Sequence, residues 1–534
     1  MKRWFSFRSF LVIAGALVFG ACSSSDDGSK KDVADTTQDT APSDIDATTN
    51  PETVGDQVQT DLPADLPGAD VADVAGDTEP LDLEQPDMWD SLPRLPQDKT
   101  FTTKYAAGVG RTVINPDRSI SMGGFGACPG KYEACRMSTG VHDDIYATAV
   151  AIADTSSGEV VIFVGVDTVG MFLYDIRIIH EQIQKALHEK GIKFEGSRLV
   201  AAFSHSHAGP DTCGIWGAMD KELRDEEDYI IFVRERVVEA ALAAYEDLQD
   251  VEMSWGQGTA PNVQDDKDSD DEDLFVIQGV KPGTEETVFT LTRWSGHPTA
   301  YGSDNHAISS DYLGTFRLKM EQELGGTAVF LNGPIGSVYT SKPEGCEMPD
   351  AFPDGFQDPE IEDNPGMDSK AACVGFNLAD VAIAALANGT TLSDAGIKAR
   401  HAIFKFHPTN AILMAFGKLG PIPLPDINLK DPEDKMDSEF SWITLGELNF
   451  LTTPGESFPS FSESAKTLLL ENGITNPVTL GVAQDWMGYL MTKEQFNNGD
   501  PDLDYHRGLS PGDEVHPTYM ARLQEVIEEE KGQQ

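Results

Sequence analysis

The stretch Leu199-Val-Ala-Ala-Phe-Ser-His-Ser-His-Ala-Gly-Pro210 constrains this chain more than any other part of the sequence. It begins as an apolar run, which predicts a buried strand, and it ends in Gly209-Pro210, which predicts a turn. His205 and His207 lie two positions apart, so on an extended backbone both imidazoles point to the same side. This pattern predicts a metal or substrate site at a strand end. A pair of hydrogen-bonded surface histidines is the alternative.

The chain has 534 residues and a strongly acidic composition. Its length exceeds what one hydrophobic core usually serves. The formal net charge of −50 argues against nucleic acid as a partner, because phosphate backbones attract basic surfaces. Six cysteines are too few for a disulfide scaffold. Cys128 and Cys135 are close enough in sequence to pair in an oxidising compartment, and the remaining connectivity stays open.

Residues 1–22 have the pattern of an export signal. Basic residues precede the apolar run Phe10–Phe19, which is too short to span a membrane comfortably. Gly20-Ala21-Cys22 then resembles a bacterial lipoprotein cleavage site, and an ordinary secretory peptide is the alternative. We therefore expect an exported lipoprotein of the outer membrane or cell surface, attached to the membrane through a lipid on Cys22.

Residues 23–97 are rich in Asp, Thr, Pro and Ala, with no Lys or Arg between Asp32 and Asp90. Such a segment repels itself and cannot bury enough apolar surface to fold. It predicts a disordered acidic linker between the signal peptide and a folded domain at residues 98–534.

A strand, a helix and a second strand follow one another in residues 160–203. Val160–Val166 is a continuous apolar run, and the next segment carries apolar residues at helical spacing, with Asp175 as a candidate helix cap. Together with the strand at Leu199 this is a βαβ pattern. We expect an α/β fold in which a mixed β-sheet core is flanked by helices.

Three further predicted strands also lead into polar residues. Thr287–Trp294 precedes His297, Glu447–Leu451 precedes Glu456, and Val478–Ala483 precedes Tyr489. In open α/β sheets, sites form beyond the carboxyl ends of the strands. Neutral imidazoles and a carboxylate suit Zn²⁺, so the sequence predicts one zinc site at these strand ends.

Two other segments have less specific patterns. The acidic run Asp265–Asp273 lacks the glycine spacing of a calcium loop, so it predicts a solvated loop, with a structural Ca²⁺ as the alternative. Residues 344–368 are rich in proline and acidic residues, which predicts a long surface loop or lid. Helices are expected at about residues 225–245, after a capping Asp311, and at about residues 517–529.

Four motifs make the sequence similar to the neutral (alkaline, non-lysosomal) ceramidase family. The family's T-H-T-H-S-G-P matches Ser204-His-Ser-His-Ala-Gly-Pro210, and its H-P-T after a strand matches His297-Pro-Thr299. Its P-G-E-F matches Pro454-Gly-Glu-Ser457, and its Y-A-G-Y-V-T-T-x-E-E-Y matches Trp486-Met-Gly-Tyr-Leu-Met-Thr-Lys-Glu-Gln-Phe496. The resemblance spans about residues 104–512, the family's N-terminal catalytic domain.

The resemblance implies a zinc-dependent amidohydrolase that cleaves an N-acyl amide bond, of a sphingolipid such as ceramide, by attack of zinc-bound water. It implies that zinc is held by His205, His297, Glu456 and Tyr489. His207 would face the substrate carbonyl, and Tyr505 would be the second tyrosine of the site.

The sequence departs from the family pattern on the substrate side. Leu331 stands where the family has a serine with a catalytic part, and Ser337 is too far along to replace it. The family's substrate-side arginine would fall near Asn262-Val-Gln-Asp265, where no arginine stands. These changes leave ceramide itself in question as the substrate.

Two alternative functions stay open, and these departures favour the first. The chain is then either a lipid-anchored surface protein that binds a ligand or metal through a decayed active site, or a zinc esterase that acts on another acyl substrate. Two of the proposed site residues could instead have purely structural roles. Glu456 could cap the following helix, and Tyr489 could be a core tyrosine.

Overall fold

A computed structural model of the chain describes residues 90–126, 135–217, 226–264, 271–340, 365–410 and 428–532. The predicted signal peptide, Cys22 and most of the predicted linker lie outside the described residues. Cys128, residues 265–270 and most of the predicted lid also lie outside them. Cys135 and Cys373 are each disulfide-bonded, and Cys213 is a buried free thiol.

Residues 90–97, which the sequence assigns to the linker, contact the folded part of the chain. Arg94 forms ion pairs with Glu159 and Glu195, and its carbonyl accepts a hydrogen bond from the Tyr245 hydroxyl. Lys193 binds the Asp90 carboxylate. The contacts of the folded region therefore begin before residue 98.

The fold contains strands and helices in alternation. The strands are β1 Tyr105–Val113, β2 Gly140–Val141, β3 Tyr146–Asp154, β4 Val160–Val166, β5 Leu199–Phe203, β6 Gln249–Thr259, β7 Val263–Gln264, β8 Asp273–Val280, β9 Thr287–Trp294, β10 Ala307–Ile308, β11 Thr327–Asn332, β12 Val338–Tyr339, β13 Thr390–Thr391, β14 Ile397–Phe406, β15 Met436–Leu445, β16 Leu448–Thr452, β17 Glu456–Ser457, β18 Pro477–Leu480 and β19 Tyr489–Leu490. The α-helices are α1 Leu173–Glu189, α2 Glu226–Glu246, α3 Tyr312–Leu324, α4 Pro365–Ala387, α5 Pro459–Glu471, α6 Lys493–Asn497, α7 Asp504–Gly508 and α8 Val515–Gly532.

The largest sheet has the strand order β11-β9-β8-β6-β1-β3-β4-β5, with β13 beside β6. β4 and β5 are parallel and joined by α1, which confirms the predicted βαβ unit. β9 and β11 are also parallel, whereas the other neighbours along this order are antiparallel. The α/β fold with a mixed sheet is therefore confirmed.

A second sheet has the order β14-β15-β16-β18 and packs on one face of the first. Successive side chains of β4 point alternately into two different cores. Val160, Ile162 and Val164 pack in the core with α1 and α2, whereas Val161 and Phe163 pack in the core shared with the second sheet. Successive strand residues face opposite sides, so each strand contributes to two cores. α3 and α4 pack on strands β8, β9 and β11 of the large sheet, and α5 and α8 pack on the second sheet.

Several local expectations need correction. Asp175 does not cap α1, which begins two residues earlier at Leu173, and its carboxylate binds Arg234 instead. Asp271 is not solvated, because it is buried in a two-point ion pair with Arg293. Residues 365–368 of the predicted lid belong to α4. By contrast, Asp311 caps α3 as predicted.

Helix α4 is long and apolar enough to cross a membrane over Lys370–Ala387, and it alone meets this criterion among the described residues. Half of this segment is buried within the fold. Residues Leu378 and Ala382 pack in the core that α4 shares with α3 and the large sheet, which is typical of the central helix of a folded domain.

Candidate metal centre

His205 and His207 lie in the loop that follows β5. The backbone does not continue as an extended strand, because His205 has a φ of 62°, which is uncommon outside glycine. The two rings nevertheless meet, with centroids 5.1 Å apart. The two rings therefore lie together, as expected. However, a turn at His205 brings them together, and not the alternation of an extended strand. Backbone strain of this kind concentrates at functional sites.

Main-chain carbonyls fix the orientation of two imidazoles. Nδ1 of His205 donates to the carbonyl of Val169, and Nδ1 of His297 donates to the carbonyl of Ile335, over 3.1 Å. A carbonyl can only accept, so each Nδ1 carries the proton and each Nε2 presents a lone pair. Both rings are almost fully buried, with exposures of 2% and 1%.

The two Nε2 atoms face the carboxylate of Glu456. Nε2 of His205 lies 3.4 Å from Oε2 of Glu456, and Nε2 of His297 lies 3.7 Å from the same oxygen. Two atoms that each lie about 2.0–2.1 Å from a tetrahedral zinc are roughly 3.3–3.4 Å apart. Lone pairs that face one another across such distances need a proton or a cation between them. The donor set therefore fits a zinc ion.

His207 belongs to the same cluster of side chains. Its Nε2 lies 3.2 Å from Nε2 of His297, and the ligand atoms of His205, His207 and His297 all lie within 4.8 Å of one another. Such a group could hold a metal ion. However, Nδ1 of His207 is buried and has no hydrogen-bond partner in the part of the chain that the structure describes. Its ring contacts the edge of Phe125 instead, with centroids 4.6 Å apart.

Glu456 and Tyr489 are held side by side by a short pair of strands. They are direct register partners in the parallel pair β17–β19, and both are buried. Oε1 of Glu456 accepts a hydrogen bond of 3.1 Å from Nε1 of Trp486. Glu456 does not cap α5, whose N-terminal flanking residue is Phe458.

The balance of burial and neighbouring charges keeps the Glu456 carboxylate charged and keeps His297 and Tyr489 neutral. Burial alone would raise the pKa of Glu456, but the attraction of His205 and the adjacent His297 lowers it to about 2. Burial and His205 lower the pKa of His297 to about 4. Burial and then the Glu456 charge raise the pKa of Tyr489 well above its usual value. At neutral pH the site therefore offers the Glu456 carboxylate, a neutral imidazole at His297 and a protonated phenol at Tyr489.

Tyr505 lies at the outer side of this cluster, on α7. Its ring centroid is 5.9 Å from that of Tyr489 and 5.5 Å from that of His506. The structure therefore brings all six predicted site residues into one region, with Tyr489 between Tyr505 and the Glu456 carboxylate.

Sequence reasoning missed several residues that build the site. Trp486 both donates to Glu456 and stacks along His205, with ring centroids 6.3 Å apart. Tyr339 stacks on His297 at 5.4 Å, and Asn332 donates to the carbonyls of Phe203 and Ser204, which ties the end of β11 to the end of β5. Only Trp486 had a sequence signal, because it opens the motif that contains Tyr489.

One of the two departures from the family pattern has a clear structural role. Leu331 is 1% exposed and packs in the core between the two sheets. Asn262, which begins the stretch where the family's arginine would fall, donates to the carbonyls of Asp271 and Ser295. Leu331 therefore serves packing and Asn262 supports the backbone, whereas Asp265, which ends that stretch, lies outside the described residues.

No protein-family model matches the sequence, and no curated protein matches it. Among solved structures, neutral ceramidase from Pseudomonas aeruginosa aligns with a TM-score of 0.59 and 16% identity, covering 80% of this chain and 75% of that one. A ceramidase complexed with C2 aligns with a TM-score of 0.59 and 16% identity, covering 81% and 76%. The chain has a neutral ceramidase-like fold. The resemblance seen in the motifs is thus confirmed at the level of the fold, and at this identity the likeness shows the fold alone.

Proposed function

We propose that this protein is a zinc-dependent amidohydrolase that cleaves the N-acyl amide bond of a lipid-like substrate. The convergence of His205, His297 and Glu456 on one point carries the proposal. The solved ceramidases with the same fold add support, because ceramidases act on an amide of a lipid. When bound, zinc would polarise a carbonyl and make a water molecule more acidic.

The protein's hydrogen bonds divide the histidines into two roles. A histidine that ligates a metal almost always donates its other ring N–H to an acceptor. His205 and His297 do so through Nδ1, whereas no described residue is a partner for Nδ1 of His207. We therefore assign His205, His297 and Glu456 to the metal, with Tyr489 beside Glu456 as a fourth ligand. His207 is assigned to the substrate.

His207 is suited to contact the substrate carbonyl as a neutral group. Burial and the neighbouring His297 and His205 lower the pKa of His207 well below its usual value. A neutral imidazole can donate one hydrogen bond to an oxygen that gains negative charge in the transition state. Tyr505, at the rim, is assigned to bind the polar part of the substrate.

The substrate is proposed to be an N-acyl compound other than long-chain ceramide. Leu331 provides no hydroxyl, and no arginine stands in the stretch Asn262-Val-Gln-Asp265. A zinc esterase is a second candidate, because the same metal ligands would polarise an ester. A surface protein that binds a ligand or metal through a decayed site is a third, and the apolar packing of Leu331 favours it.

The attachment to a membrane stays a proposal based on the sequence. We propose a lipid on Cys22, an acidic linker that raises the domain above the outer membrane or cell surface, and no nucleic acid partner. A structural Ca²⁺ ion belongs to the same group of proposals.

The proposal is tested with matched acyl compounds and purified protein. Zinc-loaded protein is assayed with N-dodecanoylethanolamine, the corresponding ester, and long-chain ceramide. We expect hydrolysis of the amide, little turnover of ceramide, and loss of activity in His205→Ala but not in His306→Ala, whose ring is exposed and bonded to Met137. Faster hydrolysis of the ester would favour the esterase. Metal binding without hydrolysis of any compound would favour the decayed site.

A further inference from the structure

Arg136 is a partly buried arginine beside the metal cluster, and within the described ranges of the chain it has no acidic partner. Every other described arginine has a carboxylate within 4.0 Å: Arg94, Arg111, Arg118, Arg177, Arg198, Arg234, Arg236, Arg293, Arg317, Arg400, Arg507 and Arg522. Acidic groups outnumber basic ones by 89 to 39 in this sequence. Among the described residues, the missing carboxylate at Arg136 is therefore not explained by a shortage of acidic side chains.

The guanidinium is connected directly to the loop that carries His207. Nη2 of Arg136 donates to the carbonyls of His207 and Gly123. The guanidinium carbon also lies 5.0 Å from the centre of the Phe125 ring, whose other contact is the ring of His207. The Phe125 side chain therefore contacts both the Arg136 guanidinium and the His207 imidazole that is assigned to the substrate.

Two of its donor atoms remain unused. Nε and Nη1 of Arg136 are buried and have no hydrogen-bond partner among the described residues. Burial lowers the pKa of Arg136 to about 10, which still leaves the group charged at neutral pH. A buried charge without a partner costs several kcal/mol, so buried charges are normally paired, and an anionic ligand would supply the missing partner here.

We infer that Arg136 binds an anionic group, a carboxylate or a phosphate, on the amine side of the substrate. This inference rests on the proposed amide hydrolysis and narrows its substrate class. Nε carries one free N–H and Nη1 carries two, and each can donate a charge-assisted hydrogen bond to an oxygen of a carboxylate or phosphate. The substrate class is then an N-acyl amino acid or an N-acylated phosphate ester of an amino alcohol.

Three amides with the same acyl chain test the inference. N-dodecanoylglycine carries a carboxylate, N-dodecanoylphosphoethanolamine carries a phosphate, and N-dodecanoylethanolamine is neutral. We expect zinc-loaded wild-type protein to have a kcat/KM at least about 10-fold higher for one anionic amide than for the neutral one. The faster of the two anionic amides identifies the preferred group.

The variants separate recognition from structural support. Arg136→Gln should lower kcat/KM for the preferred anionic amide, mainly through KM, by a larger factor than for the neutral amide, which loses only the support of the His207 carbonyl. Arg136→Lys should keep part of the preference. Arg522→Gln, on the surface of α8, is the matched control and should leave the preference intact. A wild-type protein without the preference, or an Arg136→Gln change of equal size for all three amides, overturns the inference.

Binding measurements keep the inference independent of the proposed function. If no amide is hydrolysed, calorimetry with the same three amides and zinc-loaded protein replaces kinetics. Tighter binding of an anionic amide that Arg136→Gln removes supports the inference while the proposed hydrolysis fails. Equal binding of all three amides overturns it. Thermal unfolding of each variant identifies any loss of folding, and Arg136→Lys retains the charge if Arg136→Gln does not fold.

Discussion

Nε2 of His205 lies 3.4 Å from Oε2 of Glu456, although the two residues come from different sheets of the fold. His205 follows β5 at the edge of the large sheet, and Glu456 follows β16 of the second sheet. The packing of one sheet on the other therefore creates the site. Its geometry depends on the core between the sheets as much as on the side chains that face the metal.

The first prediction concerns His207. His207→Ala should retain zinc, because the rings of His205 and His297 stay anchored through Nδ1. The rate constant kcat should fall, because the variant lacks a donor to the developing oxyanion. The loss should correspond to about 2–4 kcal/mol of transition-state stabilisation. Zinc content and kcat measured on the same preparation check both parts. Loss of zinc in this variant would instead make His207 a ligand.

The second prediction concerns the support of Glu456. Trp486→Phe removes the hydrogen bond from Nε1 to Oε1 of Glu456 and should weaken zinc affinity about 10- to 100-fold. Trp442→Phe is the matched control, because Trp442 is equally buried but donates to Asn449 within the second sheet. Zinc competition with a chelator measures the effect. Equal affinities of the two variants would contradict it.

The third prediction concerns the N-terminal boundary. A truncated chain that begins at residue 90 should be as stable and active as the mature protein, because it keeps the contacts of Arg94. A chain that begins at residue 98 should lose about 1–3 kcal/mol, since it lacks these partly exposed ion pairs and the packing of Leu95. Urea unfolding of both chains is the measurement. Equal stability would show that residues 90–97 contribute nothing.

The fourth prediction concerns the pH dependence of stability. Burial raises the pKa of Asp485 to about 7, although Ser438 and the backbone N–H groups of Leu173 and Trp486 donate to it. The folded state therefore binds a proton more tightly than the unfolded state. This contribution is fully present below pH 4 and is lost as the pH rises through 7.

Asp485→Asn tests this dependence with a neutral side chain of the same shape. Between pH 5 and pH 8 the wild-type free energy of unfolding should fall by about 2–3 kcal/mol more than that of the variant. Chemical denaturation at the two pH values provides the comparison. The same pH slope in both proteins would show that Asp485 is ionised throughout this range.

The sequence predicted those parts of the fold that depend on local patterns. The apolar run at β4, the helical spacing in α1 and the strand before His205 place one βαβ unit correctly, because period and burial are visible in the sequence. The polar residues at strand ends were also visible. This explains why His205, His297, Glu456 and Tyr489 could be named before their distances were known.

Long-range contacts could not be predicted in this way. The bond from Trp486 to Glu456, the ring of Tyr339 on His297 and the buried pair of Asp271 with Arg293 join distant segments. The acidic run containing Asp271 has the composition of a solvated loop, so composition gave the wrong environment for it. No local pattern distinguishes Arg136 from a surface arginine, and its surroundings emerge only once the loops of Phe125 and His207 are brought together.

The zinc content of the purified protein tests the central claim most directly. Elemental analysis of the wild-type chain after dialysis against metal-free buffer should give about one zinc per chain. His205→Ala and His297→Ala should each lose it, because either change removes a ligand, and His306→Ala should retain it. A wild-type protein without zinc that also fails to bind added zinc would contradict the account, as would full retention of zinc in both ligand variants.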